Sequence, residues 1–209
     1  MSRSSLYTSL LGPNDIRLIC LQPGDTEGLV CDLKHASLSD SPSYEALSYT
    51  WGLDDPVLDK QFFSITLSDT KFSVAANLYS ALKRLRQKEP RILWVDAICI
   101  NQDDLLERAQ QVRIMSKIYS SASRVLIWLG EEEPADNLAF DNLRGWNERL
   151  KSPEVASNLS AYLWRVDLTE LDSPAWTGLG SVLSRRWFRR IWVIQEAAMA
   201  EKAMVICGS

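Results

Sequence analysis

The segment Arg185-Arg186-Trp187-Phe188-Arg189-Arg190-Ile191-Trp192-Val193-Ile194-Gln195-Glu196 gathers the side chains best equipped for chemistry. Its four arginines stand at or before the first turn of an expected helix, against the positive end of the helix dipole. An anion seated there relieves that conflict, because a helix amino terminus already binds phosphate. Arg189, Trp192 or Val193, and Glu196 then recur at three- and four-residue spacing and share one face. On one stripe, an arginine, an aromatic and a carboxylate can hold a phosphate, a ring and a reacting sugar. The competing account makes Trp192 a core residue, pairs the arginines with Glu131, Glu132 and Glu133 or leaves them solvated, and treats Glu196 as a surface helix former.

Asp96 is the second carboxylate of interest, inside the apolar run Leu93-Trp94-Val95-Asp96-Ala97-Ile98 near the carboxyl end of an expected strand. Open α/β sheets place their ligand crevice at such ends. A buried carboxylate there needs hydrogen bonds or a cation, since an unpaired one costs several kcal/mol. Its structural alternative is to tie down the Asn101-Gln102 turn or to pair with Arg108. Tyr49 and Trp51-Gly52 end another expected strand, where an indole beside a glycine suits a base-stacking or rim position. Cys99 lacks a base nearby in sequence: the one histidine, His35, falls on an expected hairpin. A buried structural thiol is the simpler reading of Cys99, and one histidine argues against histidine-rich metal sites. Neither a nucleophile elbow nor a glycine-rich phosphate loop pattern is present.

The elements that must position these groups follow from periodicity. Residues 16–22 and 29–34 alternate like a hairpin around Pro23, Gly24 and Asp25, and 44–50 form a third strand. Residues 61–67 and 71–74 flank Ser68-Asp69-Thr70 as a second hairpin. Helical spacing begins at Ala75 and stops before Pro90, with Leu78, Leu82 and Leu85 on one stripe. Residues 92–98 read as a strand covered on both faces, 104–121 as one helix with an Asp104–Glu107 capping box, and 124–130 as a second buried strand. Together they make a parallel, right-handed β-α-β unit. A helical insertion fills 131–185, a helix spans 187–200, and a last strand spans 203–207.

The 209 residues, 46% hydrophobic and 24% charged, suit one domain with its own core. Lys and Arg total 23 against 27 Asp and Glu, a net charge of −4, which disfavours nucleic acid as a partner. The four cysteines, Cys20, Cys31, Cys99 and Cys207, form no CxxC pair and read as reduced thiols of a cytoplasmic protein. No apolar run approaches the roughly 20 residues that span a bilayer, so no membrane partner is expected.

Three blocks together carry a family resemblance: Tyr44-Glu-Ala-Leu-Ser-Tyr-Thr-Trp-Gly52; Leu93-Trp-Val-Asp-Ala-Ile-Cys-Ile-Asn-Gln102, continuing through Glu107 to Trp128-Leu-Gly130; and Arg186 to Glu196. They resemble the HET domain of fungal heterokaryon-incompatibility proteins over residues 44–209. More remotely, the order of elements is similar to TIR domains, with Trp192-x-x-x-Glu196 matching the Trp-x-x-x-Glu of NAD-cleaving members. The resemblance implies a flavodoxin-like α/β sheet, mainly parallel and flanked by helices. Its core would be 44–130 and 186–209, with a β-rich extension at 1–43 and the insertion at 131–185. It further implies cell-death signalling on recognition of non-self, as in innate immunity, with NAD as substrate rather than cofactor and no metal. Glu196 would be catalytic; Tyr49, Trp51, Gly52, Asp96, Asn101, Arg189 and Trp192 would bind substrate. The expected partners are NAD or a related nucleotide, further copies of the chain, and other death-signalling proteins. The alternative is a non-catalytic module that oligomerises and recruits those proteins.

Overall fold

Eight strands form one mixed sheet in the order β5-β4-β2-β1-β6-β3-β7-β8. The computed structural model describes residues 6–10, 12–24, 28–52, 57, 60–134, 136–151 and 174–208. One half is largely antiparallel: β1 (Asp15–Leu21) pairs with β2 (Val30–Ser37), and β4 (Phe62–Leu67) with β5 (Thr70–Ala75). The β4–β5 turn holds Ser68 and Asp69 at φ 46° and 64°, the doubly left-handed geometry that matches the twist of a two-residue hairpin. The other half is parallel, with β6 (Arg91–Trp94), β3 (Glu45–Ser48), β7 (Arg124–Trp128) and β8 (Ala203–Ile206) side by side. β1 joins the halves by pairing antiparallel with β6. The expected mainly parallel sheet is therefore half of the observed one, and the front hairpin is built into its middle.

Numbered along the chain, the parallel strands lie in the order 2-1-3-4. The β6 and β7 strands of the expected β-α-β unit are parallel, but β3 lies between them. Three apolar side chains of β1, Ile16, Ile19 and Leu21, are fully covered, as are Leu93, Trp94, Val125 and Leu126 in the parallel half. A central strand covered on both faces loses the apolar–polar alternation of a half-exposed one.

Helix α1 (Ala76–Leu85) begins without a side-chain cap. Its buried Asn77 instead donates to the Thr50 carbonyl at 2.7 Å and accepts from Trp128 Nε1 at 2.8 Å, tying the helix to the carboxyl ends of β3 and β7. The strand expected over 92–98 stops at Trp94, and Asp96 opens a short helix, α2 (Asp96–Cys99). The single helix expected over 104–121 is two: α3 (Leu105–Arg113) and α4 (Met115–Ser121), parted at Ile114. That break lets Met115, Ile118 and Tyr119 of α4 bury themselves, and the Tyr119 hydroxyl reaches the Leu47 carbonyl of β3. In the insertion, α5 (Asp136–Leu150) packs on α6 (Pro174–Ser184), and residues 152–173 lie outside the described ones.

Asp104 caps α3 as expected, accepting from Leu106 and Glu107 backbone N–H groups. The Glu107 carboxylate turns inward instead of completing a reciprocal box. It takes two guanidinium bonds from fully buried Arg17 of β1, one at 2.9 Å, and a third from the Asn101 N–H at 2.7 Å. A charge pair this deep is sustained by mutual neutralisation and by those extra hydrogen bonds. Arg17→Met alone is expected to lower the unfolding free energy by about 3–5 kcal/mol, because it strands the Glu107 charge. Arg17→Met with Glu107→Leu should recover most of that loss in urea unfolding. A single variant as stable as the parent would contradict this.

Candidate functional site

The helix expected over 187–200 is broken in the middle. A 3-10 turn spans Arg186–Arg189, Arg190 is extended, and helix α7 covers only Val193–Ala198. In one continuous helix Arg190 and Glu196, six residues apart, would point to widely separated faces. The break folds Arg190 back, and its guanidinium grips Glu196 with one nitrogen 3.0 Å from Oε1 and the other 3.2 Å from Oε2. The Ser48 hydroxyl, at the end of β3, also donates to Glu196 Oε2. Trp187 Nε1 in turn donates to Ser48 Oγ at 2.7 Å. Glu196 is 1% exposed and lies under this network. Arg190 also donates to the Tyr49 carbonyl at 2.8 Å, so one guanidinium links the end of β3 to α7.

Beside the network a cavity of about 370 Å³ opens at the carboxyl ends of β3 and β6. Trp51, Gly52, Asp96, Arg190 and Trp192 line it, with Arg108 and Arg186. The indoles of Trp51 and Trp192 are 54% and 43% exposed, so both present ring surface to solvent at its mouth. Asp96 accepts from Trp51 Nε1 at 2.9 Å and from the Ala97 N–H at 2.7 Å, and the buried Tyr49 hydroxyl also bonds it. Burial, joined by the neighbouring Glu196 charge, raises the Asp96 carboxyl above its ordinary value against the bonds from Trp51 and Ala97. Tyr49 is held well above its ordinary value chiefly by burial and by the charge of Asp96. Gln102 Nε2 bonds the backbone carbonyl of Asp96, which secures the turn after α2 and leaves the carboxylate to Trp51.

The structure thus brings Trp51, Gly52, Asp96 and Trp192 together at the cavity, with buried Tyr49 beside Asp96 and Glu196 behind Arg190. Tyr49, Asn101 and Arg189 do not line the cavity. Asn101 instead shapes the turn into α3, its side chain accepting from the Asp103 N–H, while Arg189 lies exposed on the 3-10 turn. A larger cavity, about 780 Å³, holds none of these residues; it surrounds the Arg91–Glu45–Arg124 ion triple where β3, β6 and β7 begin.

Residues 44–196, from the start of this sheet half to the buried carboxylate, match the family described as heterokaryon incompatibility protein (HET). The chain belongs to the HET family. It is 32% identical over 231 aligned positions to heterokaryon incompatibility protein 6, OR allele, of Neurospora crassa. That alignment covers 92% of this chain and 33% of the Neurospora protein, so the chain spans about a third of that relative's length. No solved structure matches it. The HET match stops at Glu196, yet β1, β2 and β8 outside it belong to the same sheet.

Ser48, Trp187 and Arg190 of the HET domain are site residues that spacing alone does not single out. A serine in an apolar strand is a usable signal, because a buried hydroxyl must find a partner. Choosing Arg190 over Arg189 requires the helix break. Of the four arginines, Arg185 does reach the acidic run, 3.8 Å from Glu133, but its shorter pair is Asp136 at 2.6 Å. Cys99 is fully buried, its thiol pushed up to about 12 chiefly by desolvation, and His35 bonds Thr8, so the pair expected of a thiol enzyme is not assembled. Among the described residues no helix is long and apolar enough to cross a membrane, and no three His, Cys, Asp or Glu side chains converge as a metal site.

The raised Asp96 carboxyl sets a sign for pH dependence. Between the ordinary carboxylate value and the raised one, the folded HET domain binds more protons here than the unfolded chain does, so this residue's contribution to stability falls as pH rises through that window. Asp96→Asn removes the titration. The stability of the variant relative to the parent should therefore grow from about pH 3 upward and then level off. Chemical denaturation at a series of pH values measures the difference; a gap independent of pH would refute it.

Proposed function

We propose that this HET domain is the effector of a fungal cell-death response to non-self, and that in the cytoplasm, once copies associate, it cleaves NAD to nicotinamide and ADP-ribose. The observation that carries this reading is the cavity where Asp96, two exposed indoles and three guanidiniums meet at the strand ends, with Glu196 directly behind. Ring surface, positive charge and carboxylates are the three components that recognise a nicotinamide, a pyrophosphate and a ribose. The 2-1-3-4 order of the parallel strands is also that of flavodoxin-like sheets, in keeping with a TIR-like core.

The chemistry asks little of the protein beyond placement and charge. The bond from the ribose anomeric carbon to the pyridinium nitrogen breaks with both electrons passing to nitrogen, so nicotinamide leaves neutral and needs no general acid. Positive charge develops on the sugar, and a carboxylate facing it lowers the barrier. Water then adds to the anomeric carbon and releases one proton to solvent. In the resting arrangement Arg190 neutralises Glu196. Association of copies is the proposed event that moves Arg190 and presents the carboxylate to the cavity.

A second reading has its own support. Glu196 is buried, doubly paired and absent from the cavity lining, as a purely structural carboxylate would be. On that account the domain signals through protein partners without catalysis. Clustered protein incubated with NAD separates the two. Nicotinamide release that falls at least a hundredfold in Glu196→Gln, corresponding to about 3 kcal/mol of lost stabilisation, is the expected result. Thermal unfolding of the variant must show that it stays folded. No release under any clustering would hand the case to the second reading, and unchanged turnover in Glu196→Gln would remove its catalytic role.

A further inference from the structure

A second cavity of about 490 Å³ lies at the carboxyl ends of β3 and β7. It shares Thr50, Gly52 and Arg186 with the first, so the two adjoin as neighbouring lobes at the end of β3. Their chemistry differs. The first lobe carries the exposed indoles and Asp96. The second offers the hydroxyls of Ser80, Ser181 and Ser184 and the acidic run after Gly130, while its indole, Trp187, is 4% exposed and already committed to Ser48.

The second lobe also sits where the topology favours a ligand. From β3 the chain runs on to β6 on one flank, and from β7 to β8 on the other, so β3 and β7 border the point where the winding reverses. Crevices outside the strand ends at such a point are the usual ligand sites of open α/β sheets. Carboxylates and hydroxyls without an exposed ring suit sugar hydroxyls, and a guanidinium at the junction suits a pyrophosphate, which it can grip with two bonds.

We infer that the substrate straddles the two lobes, with its reacting nucleoside on Trp51 and Trp192, its pyrophosphate on Arg186, and its second ribose in the lobe beyond Gly130. The site is therefore built for a dinucleotide rather than a mononucleotide, and Arg186 takes the role that helical spacing offers to Arg189. This rests on the NAD reading of the same cleft.

Calorimetric titration with nicotinamide riboside, AMP and ADP-ribose tests it, since none of these requires turnover. ADP-ribose should bind at least tenfold more tightly than AMP. Arg186→Ala should weaken ADP-ribose at least tenfold and nicotinamide riboside less than twofold, with Arg186→Lys recovering part of the loss because it restores charge without the paired geometry. Ser80→Trp, which fills the second lobe, should weaken ADP-ribose and AMP and spare nicotinamide riboside; retained riboside binding reports that each variant is folded. Equal weakening of both probes in Arg186→Ala, or undiminished ADP-ribose binding in Ser80→Trp, would overturn the straddling mode while leaving the ring lobe in place. Failure of the parent to bind nicotinamide riboside and ADP-ribose alike would instead remove the NAD reading, and this inference with it.

Discussion

The carboxylate of Glu196 sits almost wholly out of water, and it can do so only because a guanidinium and a hydroxyl reach it there. Leaving such a charge unpaired costs several kcal/mol, a large part of what holds a domain together. Arg190 is in place because the chain is extended at that residue, and Ser48 because β3 is centred in the parallel half-sheet. Trp187 locks the serine by donating to it. One ion pair and its hydrogen bonds thereby gather the end of β3, the 3-10 turn and α7, and fix one wall of the cleft.

The remaining walls depend on two other buried polar links. Asn77 bonds the chain after β3 and the last residue of β7, which holds the floor of the second lobe against α1. Arg17 reaches from β1 to Glu107, and Glu107 in turn holds Asn101, so the loop leading into α3 is anchored from the antiparallel half of the sheet. That is why the front hairpin is more than an extension: without β1 the α2–α3 turn beside Asp96 loses its cation. Gly130 contributes at the opposite wall. Its φ of +111° turns the chain after β7, and Arg185 gathers the neighbouring Leu129 and Glu131 carbonyls.

Much of this is legible in the amino-acid order where the controlling forces are local. The two hairpins, the Ser68-Asp69 turn, the Asp104 cap and the end of α1 before Pro90 depend on residues within a few positions of one another. The misread elements share a different cause. The run from Ile92 to Ile98 is apolar throughout, and an uninterrupted apolar run does not distinguish a long buried strand from a short one that passes into a buried helical turn. Helical spacing continues smoothly through Ile114 and through Arg190, yet both positions break, because Tyr119 must reach β3 and Arg190 must reach Glu196. Tertiary bonds outweigh propensities worth less than about 1 kcal/mol per residue.

By itself the sequence determined the class of fold and the family, and it singled out candidate side chains: two carboxylates, a cluster of arginines, and tryptophans at element ends. Charge and apolarity are properties of residues, and their local pattern survives without coordinates. Only the tertiary structure decided which arginine meets Glu196, that Asp96 holds Trp51 while Glu196 lies behind Arg190, and that two cavities adjoin at Thr50, Gly52 and Arg186. Those outcomes turn on which groups are brought within hydrogen-bonding distance by strands far apart in the chain, and the hydrogen bond between Ser48 and Glu196 leaves no trace in the spacing around either one.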